Sequence, residues 1–197
     1  VVDYCCRKVI INKIDCDKNV FSAPSSIITR HYLEIPLRNE GDLISVFTLM
    51  NPSCADKKSS DNTVNFIINY AYDILKASKI IITNIHPFYE PNSTKLRPLL
   101  QAAQKLNPKE FELTYEKNRS LISDYYSNAH EIYIATGNYI RKKPHDTIIS
   151  MLTQYKEKTF GLEYNGWSHF STKNCVYHPS RKGKYPIKGR FPYFKTN

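Results

Sequence analysis

Ile44-Ser45-Val46-Phe47-Thr48-Leu49-Met50-Asn51-Pro52-Ser53 is the stretch on which the fold turns. Its first seven residues form a mostly apolar run, preceded by Gly41-Asp42 and stopped by Asn51-Pro52. A short apolar run rich in Val, Ile and Phe and bounded by turn residues reads as a buried strand. Downstream, Val64, Ile67, Ile68, Ala71, Ile74 and Leu75 follow helical spacing, and Asp61 or Thr63 is placed to cap that helix. Residues 79–84 (K-I-I-I-T-N) predict a second core strand, and a Pro-containing loop covers 85–98. Helical pieces follow at 96–106 and 116–129, then a third strand at 131–136 ended by Gly137. Pro144 opens another helix, where its missing N–H costs little, with Ile148, Ile149 and Leu152 facing inward. Residues 159–162 make a fourth strand, and 7–14 and 26–37 read as short strands before the first.

Strands alternating with helices predict an α/β fold. The expectation is a three-layer α/β/α sandwich around a central, mainly parallel four-stranded sheet, with short N-terminal strands added. One domain spans 1–197, with 1–40 as an N-terminal strand extension and 178–197 as a basic, aromatic C-terminal segment. Ligands of such sheets bind at the carboxyl ends of the strands. That rule places Asn51, Asn84, Gly137 and the segment after Leu162 on one rim.

Charge narrows the partner. Lys and Arg outnumber Asp and Glu by 28 to 18, a net charge of +10, which draws polyanions. From His178 to the end the chain carries Arg181, Lys182, Lys184, Lys188, Arg190 and Lys195, with no carboxylate side chain and with Tyr185, Phe191, Tyr193 and Phe194 interleaved. Cations among aromatic rings suit phosphate contact with base stacking; a basic tail without structure reads the same way. The five cysteines show no C-x-x-C pair and the six histidines no H-x-x-x-H, so no metal or cofactor is expected. No apolar run reaches membrane-spanning length and no secretory leader is visible at the start, which points to a cytoplasmic, membrane-free monomer.

The strand-end signals are Asn51-Pro52-Ser53, then Ile82-Thr83-Asn84 with Pro91-Asn92-Ser93, then Ala135-Thr136-Gly137, then Tyr177-His178-Pro179-Ser180. In that order they resemble the uracil-DNA glycosylase superfamily. Asn51-Pro52 is similar to the G-I-N-P-G motif of its mismatch-specific branch, and Tyr177 to Ser180 to the closing H-P-S motif. Residues 82–98 resemble a segment of the iron–sulfur branch, although Phe88 stands where that branch has a cysteine. A closer resemblance is to a bacterial and phage family carrying M-L-N-P-S-T-A-D, D-x-T, N-D-R and H-P. Those motifs read here as 50–56, 61–63, 117–119 and 178–179.

The resemblance implies a DNA glycosylase fold and the hydrolysis of the N-glycosidic bond of a modified or damaged pyrimidine, in base-excision repair or in defence against phages. Asn51 and His178 are then the catalytic pair, the amide orienting water and the imidazole donating to the base carbonyl. Met50, Pro52, Asn84 and Gly137 would bind the base. Ser53, Ser180, Arg181, Lys182, Lys184 and Tyr185 would bind DNA. Two rival expectations stay open: a nucleic-acid-binding protein that keeps the fold without the reaction, and an enzyme acting on free nucleotides.

Overall fold

The computed structural model describes residues 2–179 and 187–194. Its core begins with the run quoted above, strand β3 (Ile44–Leu49), which is buried along almost its whole length. β3 pairs in parallel with β4 (Lys79–Asn84) on one side and with β5 (Glu131–Ile134) on the other; β6 (Thr159–Tyr164) continues in parallel beyond β5. These are the four strands expected at the centre, but the expected four-stranded sheet is corrected to seven strands. β1 (Asp15–Val20) and β2 (Ile28–Pro36) join antiparallel beside β4, and β7 (Ile187–Pro192) joins antiparallel beside β6, in the order β1-β2-β4-β3-β5-β6-β7.

Within 1–40, β1 and β2 are therefore members of the central sheet. The strand expected at 7–14 is instead an irregular stretch with one 3₁₀ turn, Ile11–Lys13, and the strand starts at Asp15. Segment 178–197 is likewise not a tail throughout. Phe191 is buried and sits opposite Gly161, where a Cβ would lie 2.3 Å from the ring, so the glycine admits the ring to the core. The Phe191 ring also stacks on His169 at 3.9 Å, and Arg190 pairs with Glu131 and donates to the Tyr133 hydroxyl at 2.8 Å. These two side chains hold the sheet edge and are not available to stack on bases or contact phosphate.

Helices cover both faces. α1 (Asn62–Tyr70) follows β3 and packs through Val64, Ile67 and Ile68 against Phe47, Leu49, Ile80 and Ile82. Asp61 caps it, accepting from the Val64 N–H at 2.9 Å, and one wider turn, Ala71–Leu75, ends it. α2 (Ser93–Leu106), α3 (Pro108–Asn128) and α4 (Lys142–Met151) pack on the opposite face, against Val46, Ile81, Ile132 and Ile134. Alternate residues of each strand thus enter different cores, as the two-residue repeat of a strand requires. The buried Thr48 hydroxyl is paired, meeting the Thr83 hydroxyl at 2.9 Å and the Tyr126 hydroxyl at 2.7 Å.

The strand order creates one special place. After β3 the chain turns to the α1 face and proceeds to β4. After β5 it turns to the opposite face, into α4, and proceeds to β6 on the other side. Loops leaving neighbouring strands toward opposite faces open a crevice at their carboxyl ends, the topological switch point of an open α/β sheet. Here it lies between β3 and β5.

Candidate functional site

A cleft of about 490 Å³ occupies the switch point. The β3 end contributes Leu49, Met50, Asn51 and Ser53; the β5 end contributes Thr136, Gly137, Asn138 and Tyr139; the segment after β6 closes it with Val176, Tyr177 and His178. Asn51 and His178, 127 positions apart in sequence, thus share one wall system, as the strand-end signals predict.

Asn51 is oriented by its neighbours. Its Nδ2 donates to the Glu90 carbonyl and, at 3.4 Å, to that of Pro52. Among the described residues nothing donates to its Oδ1, so the amide keeps an acceptor at the cleft. Pro52 itself is buried, and the turn it makes aims the preceding amide. Ser53 donates its hydroxyl to Asp61, the α1 cap, which ties the N-P-S turn to the helix. The rest of the M-L-N-P-S-T-A-D segment is scaffolding. Arg30 is fully buried and donates to the Ala55 carbonyl, Tyr4 donates to the Asp56 carbonyl at 2.7 Å, and the Asp56 carboxylate accepts from the N–H groups of Lys58 and Ser59.

His178 is placed by Gly137. That glycine has φ +69°, and a Cβ there would stand 3.1 Å from the His178 Cβ. Only glycine takes this conformation cheaply and leaves the imidazole in place. Burial pushes the His178 pKa down to about 4, against the pull of the Asp61 carboxylate, so the ring is neutral at pH 7. Gly137→Ala is expected to cost about 1–2 kcal/mol for the left-handed backbone and to displace His178. A lowered thermal midpoint and a shifted His178 imidazole NMR signal check this; an unchanged signal would mean the contact does not position the ring.

Asn84 does not line the cleft. β4 lies on the far side of β3 from β5, so the end of β4 is outside the crevice. Asn84 is fully buried, both atoms of its side-chain amide lack a hydrogen-bond partner, and its carbonyl accepts from Asn118 Nδ2 at 2.9 Å. Asn118, from the 117–119 motif, also meets His31 Nδ1 at 3.3 Å, joining α3 to β2 and β4. The site residues expected from the sequence omit Thr63, Pro91, Asn138, Tyr139, Lys173 and Tyr177, all on the cleft wall. Thr63 reads as a helix cap, Pro91, Asn138 and Tyr177 fall in or beside the quoted signals without a role being assigned to them, and Tyr139 and Lys173 sit in loops without a strand-end pattern. Ser180, Arg181, Lys182, Lys184 and Tyr185 lie outside the described residues.

Among the described residues, no helix is long and apolar enough to cross a membrane. Nor does any group of three or more His, Cys, Asp or Glu among them stand ready to hold a metal ion.

A family model described as "Protein of unknown function (DUF1643)" matches residues 30–180, from β2 through β6 and the cleft-closing segment. No curated protein and no solved structure matches the chain.

Proposed function

The chain belongs to the DUF1643 family, and from the cleft at its switch point we propose that it is a DNA glycosylase of the uracil-DNA glycosylase kind, hydrolysing the N-glycosidic bond of a modified pyrimidine. The observation that carries the reading is the meeting of Asn51, Gly137 and His178 in that one cleft. A pyrimidine must leave the base stack to enter it.

The C1′–N bond breaks with its electron pair on the base. His178, neutral, donates a hydrogen bond to the base carbonyl as negative charge develops there, an oxyanion-type role. Asn51 Oδ1 accepts a hydrogen bond from the water whose oxygen adds to C1′. The water's proton leaves to solvent after the bond forms, and the departing base anion takes up a proton in turn. An amide does not take a proton at pH 7, and an oxocarbenium centre does not need a strong nucleophile. Met50 and Pro52 shape the cleft beside the base. Edge recognition, expected of Asn84, passes to Asn138, whose Oδ1 accepts from Ser171 at 2.7 Å and whose Nδ2 remains to donate. Ser53, engaged with Asp61, shapes the turn more than it holds phosphate. Arg181, Lys182 and Lys184 supply charge for the DNA backbone.

The test is to incubate the protein with DNAs that each carry one modified pyrimidine, followed by alkali. Strand breakage at the modified position of at least one substrate is expected. Binding with a steep salt dependence and no breakage on any substrate would overturn hydrolysis in favour of a binding protein. Truncation at 181 is unsuited to this comparison because it removes β7; charge reversal at 181, 182 and 184 preserves the strand.

A further inference from the structure

A second cavity, of about 660 Å³, lies on the α2–α3–α4 side and adjoins the cleft through Tyr139 and Ile140, which line both. Five cations from three helices and a loop surround it: Arg97 on α2, Arg119 on α3, Arg141 before α4, and Lys142 and Lys143 in its first turn. Glu112 is the one carboxylate among the lining residues. Phe111, Tyr115, Tyr139, Pro144 and Ile148 make the rest of the wall largely aromatic and apolar. The Tyr115 hydroxyl meets Nδ1 of the fully buried His86, so that ring is fixed.

Contacts within the fold account for only part of this charge. Arg97 donates to the Ile140 carbonyl at 3.0 Å and Lys142 pairs with Asp146 at 3.0 Å. Arg119 and Lys143 have no ion pair or side-chain hydrogen bond among the described residues. Arg141, at the α4 cap position, makes no capping hydrogen bond with its side chain, which donates to Gln104 Oε1 at 3.4 Å and lies over the Phe111 ring at 5.8 Å. Three successive cations, 141–143, therefore crowd the end of α4 that already carries positive partial charge. Each costs a few tenths of a kcal/mol to about 1 kcal/mol there, and an anion reverses the sign. The volume falls in the roughly 300–1,000 Å³ range of small-ligand sites.

We propose that this cavity binds a nucleoside phosphate, with the guanidinium and ammonium groups on the phosphate and the aromatic wall against the base. The unit comes either as a free nucleotide or as a nucleotide of a strand running across Tyr139 from the first cleft. Stacking of a base on an aromatic face is worth about 1–3 kcal/mol and accepts any base, and the arginines offer planar, bidentate contacts to phosphate. The inference does not need hydrolysis in the first cleft.

The experiment measures binding to the full chain of a thymidine 5′-monophosphate probe, of thymidine, and of a fluorescein-labelled single-stranded hexanucleotide. Wild type is compared with Arg119→Glu/Lys143→Glu and, at the same positions, with the milder Arg119→Gln/Lys143→Gln. Neither side chain lines the first cleft or makes a hydrogen bond or ion pair among the described residues. The expected result is at least tenfold weaker binding of one phosphorylated probe to the Glu variant, a smaller loss in the Gln variant, and at least tenfold weaker wild-type binding of thymidine than of its monophosphate. Loss confined to the mononucleotide identifies a free nucleotide; loss of the hexanucleotide identifies a strand. Wild-type affinity of both variants for both phosphorylated probes, or equal binding of thymidine and its monophosphate, overturns the proposal. Failure of the DNA cleavage test leaves these binding outcomes unaffected, so the two readings fail separately.

Discussion

Asn51→Ala is expected to bring release of the base down to the assay background, a loss of about 10³-fold or more, while DNA binding stays within about twofold of wild type. The magnitude follows from what the side chain does. Its Nδ2 is tied to the carbonyls of Glu90 and Pro52, so Oδ1 is the atom left to place water. Without it the nucleophile must come from unoriented solvent, and losing orientation forfeits orders of magnitude in rate. Alanine also removes the link between the N-P-S turn and Glu90, a loss of about 1 kcal/mol by the usual worth of such a bond. That lowers the thermal midpoint by a few degrees but leaves a folded protein. Single-turnover cleavage, a binding titration and a melting curve on the same preparation separate the effects. Cleavage at the wild-type rate would remove Asn51 from the reaction; loss of binding in step with cleavage would make it a scaffold residue.

The four parallel strands were legible because strands buried on both faces must be apolar throughout, and 44–50 and 79–84 show this over their length. β1 and β7 were not. Their sequences, D-C-D-K-N-V and I-K-G-R-F-P, are those of half-exposed edge strands, and the inward packing of Phe191 depends on Gly161, thirty residues away. Asn51 and Asn84 carry the same local signal, an asparagine ending a buried strand. What separates them is strand order, because β5 lies beside β3 and away from β4. No local pattern encodes that, so the amide at 84 reads as a partner of the one at 51 although it is sealed from the cleft. Gly137 was legible as a close approach and His178 as a motif residue, but their contact became visible only with the chain folded. The basic cavity escaped for the same reason: Arg97, Arg119 and Arg141 sit on separate elements, and each alone looks like a solvated surface charge.

His178→Ala is expected to slow cleavage by about 10²–10³-fold, the usual cost of deleting one donor to a developing oxyanion, with DNA binding retained. The pH dependence distinguishes this role from general acid catalysis by an imidazolium. Burial pushes the folded-state pKa from an ordinary 6.5 down to about 4. Across pH 5.5–8 the ring is therefore neutral, and the wild-type rate should show no step near 6.5 that the variant lacks. Stability should respond where the rate does not. Between pH 6.5 and about 4 the unfolded chain binds a proton on this residue and the folded chain does not. The stability that goes with a neutral His178 is thus fully present above pH 6.5 and is lost as pH falls toward about 4. The alanine variant has no such proton to bind, so its unfolding free energy should fall less steeply than wild type through this window. Rate profiles with single-turnover chemistry and urea unfolding at a series of pH values measure the two halves. A wild-type rate that rises as pH drops through 6.5, and does so only while His178 is present, would make the residue a charged acid and end the neutral-donor assignment.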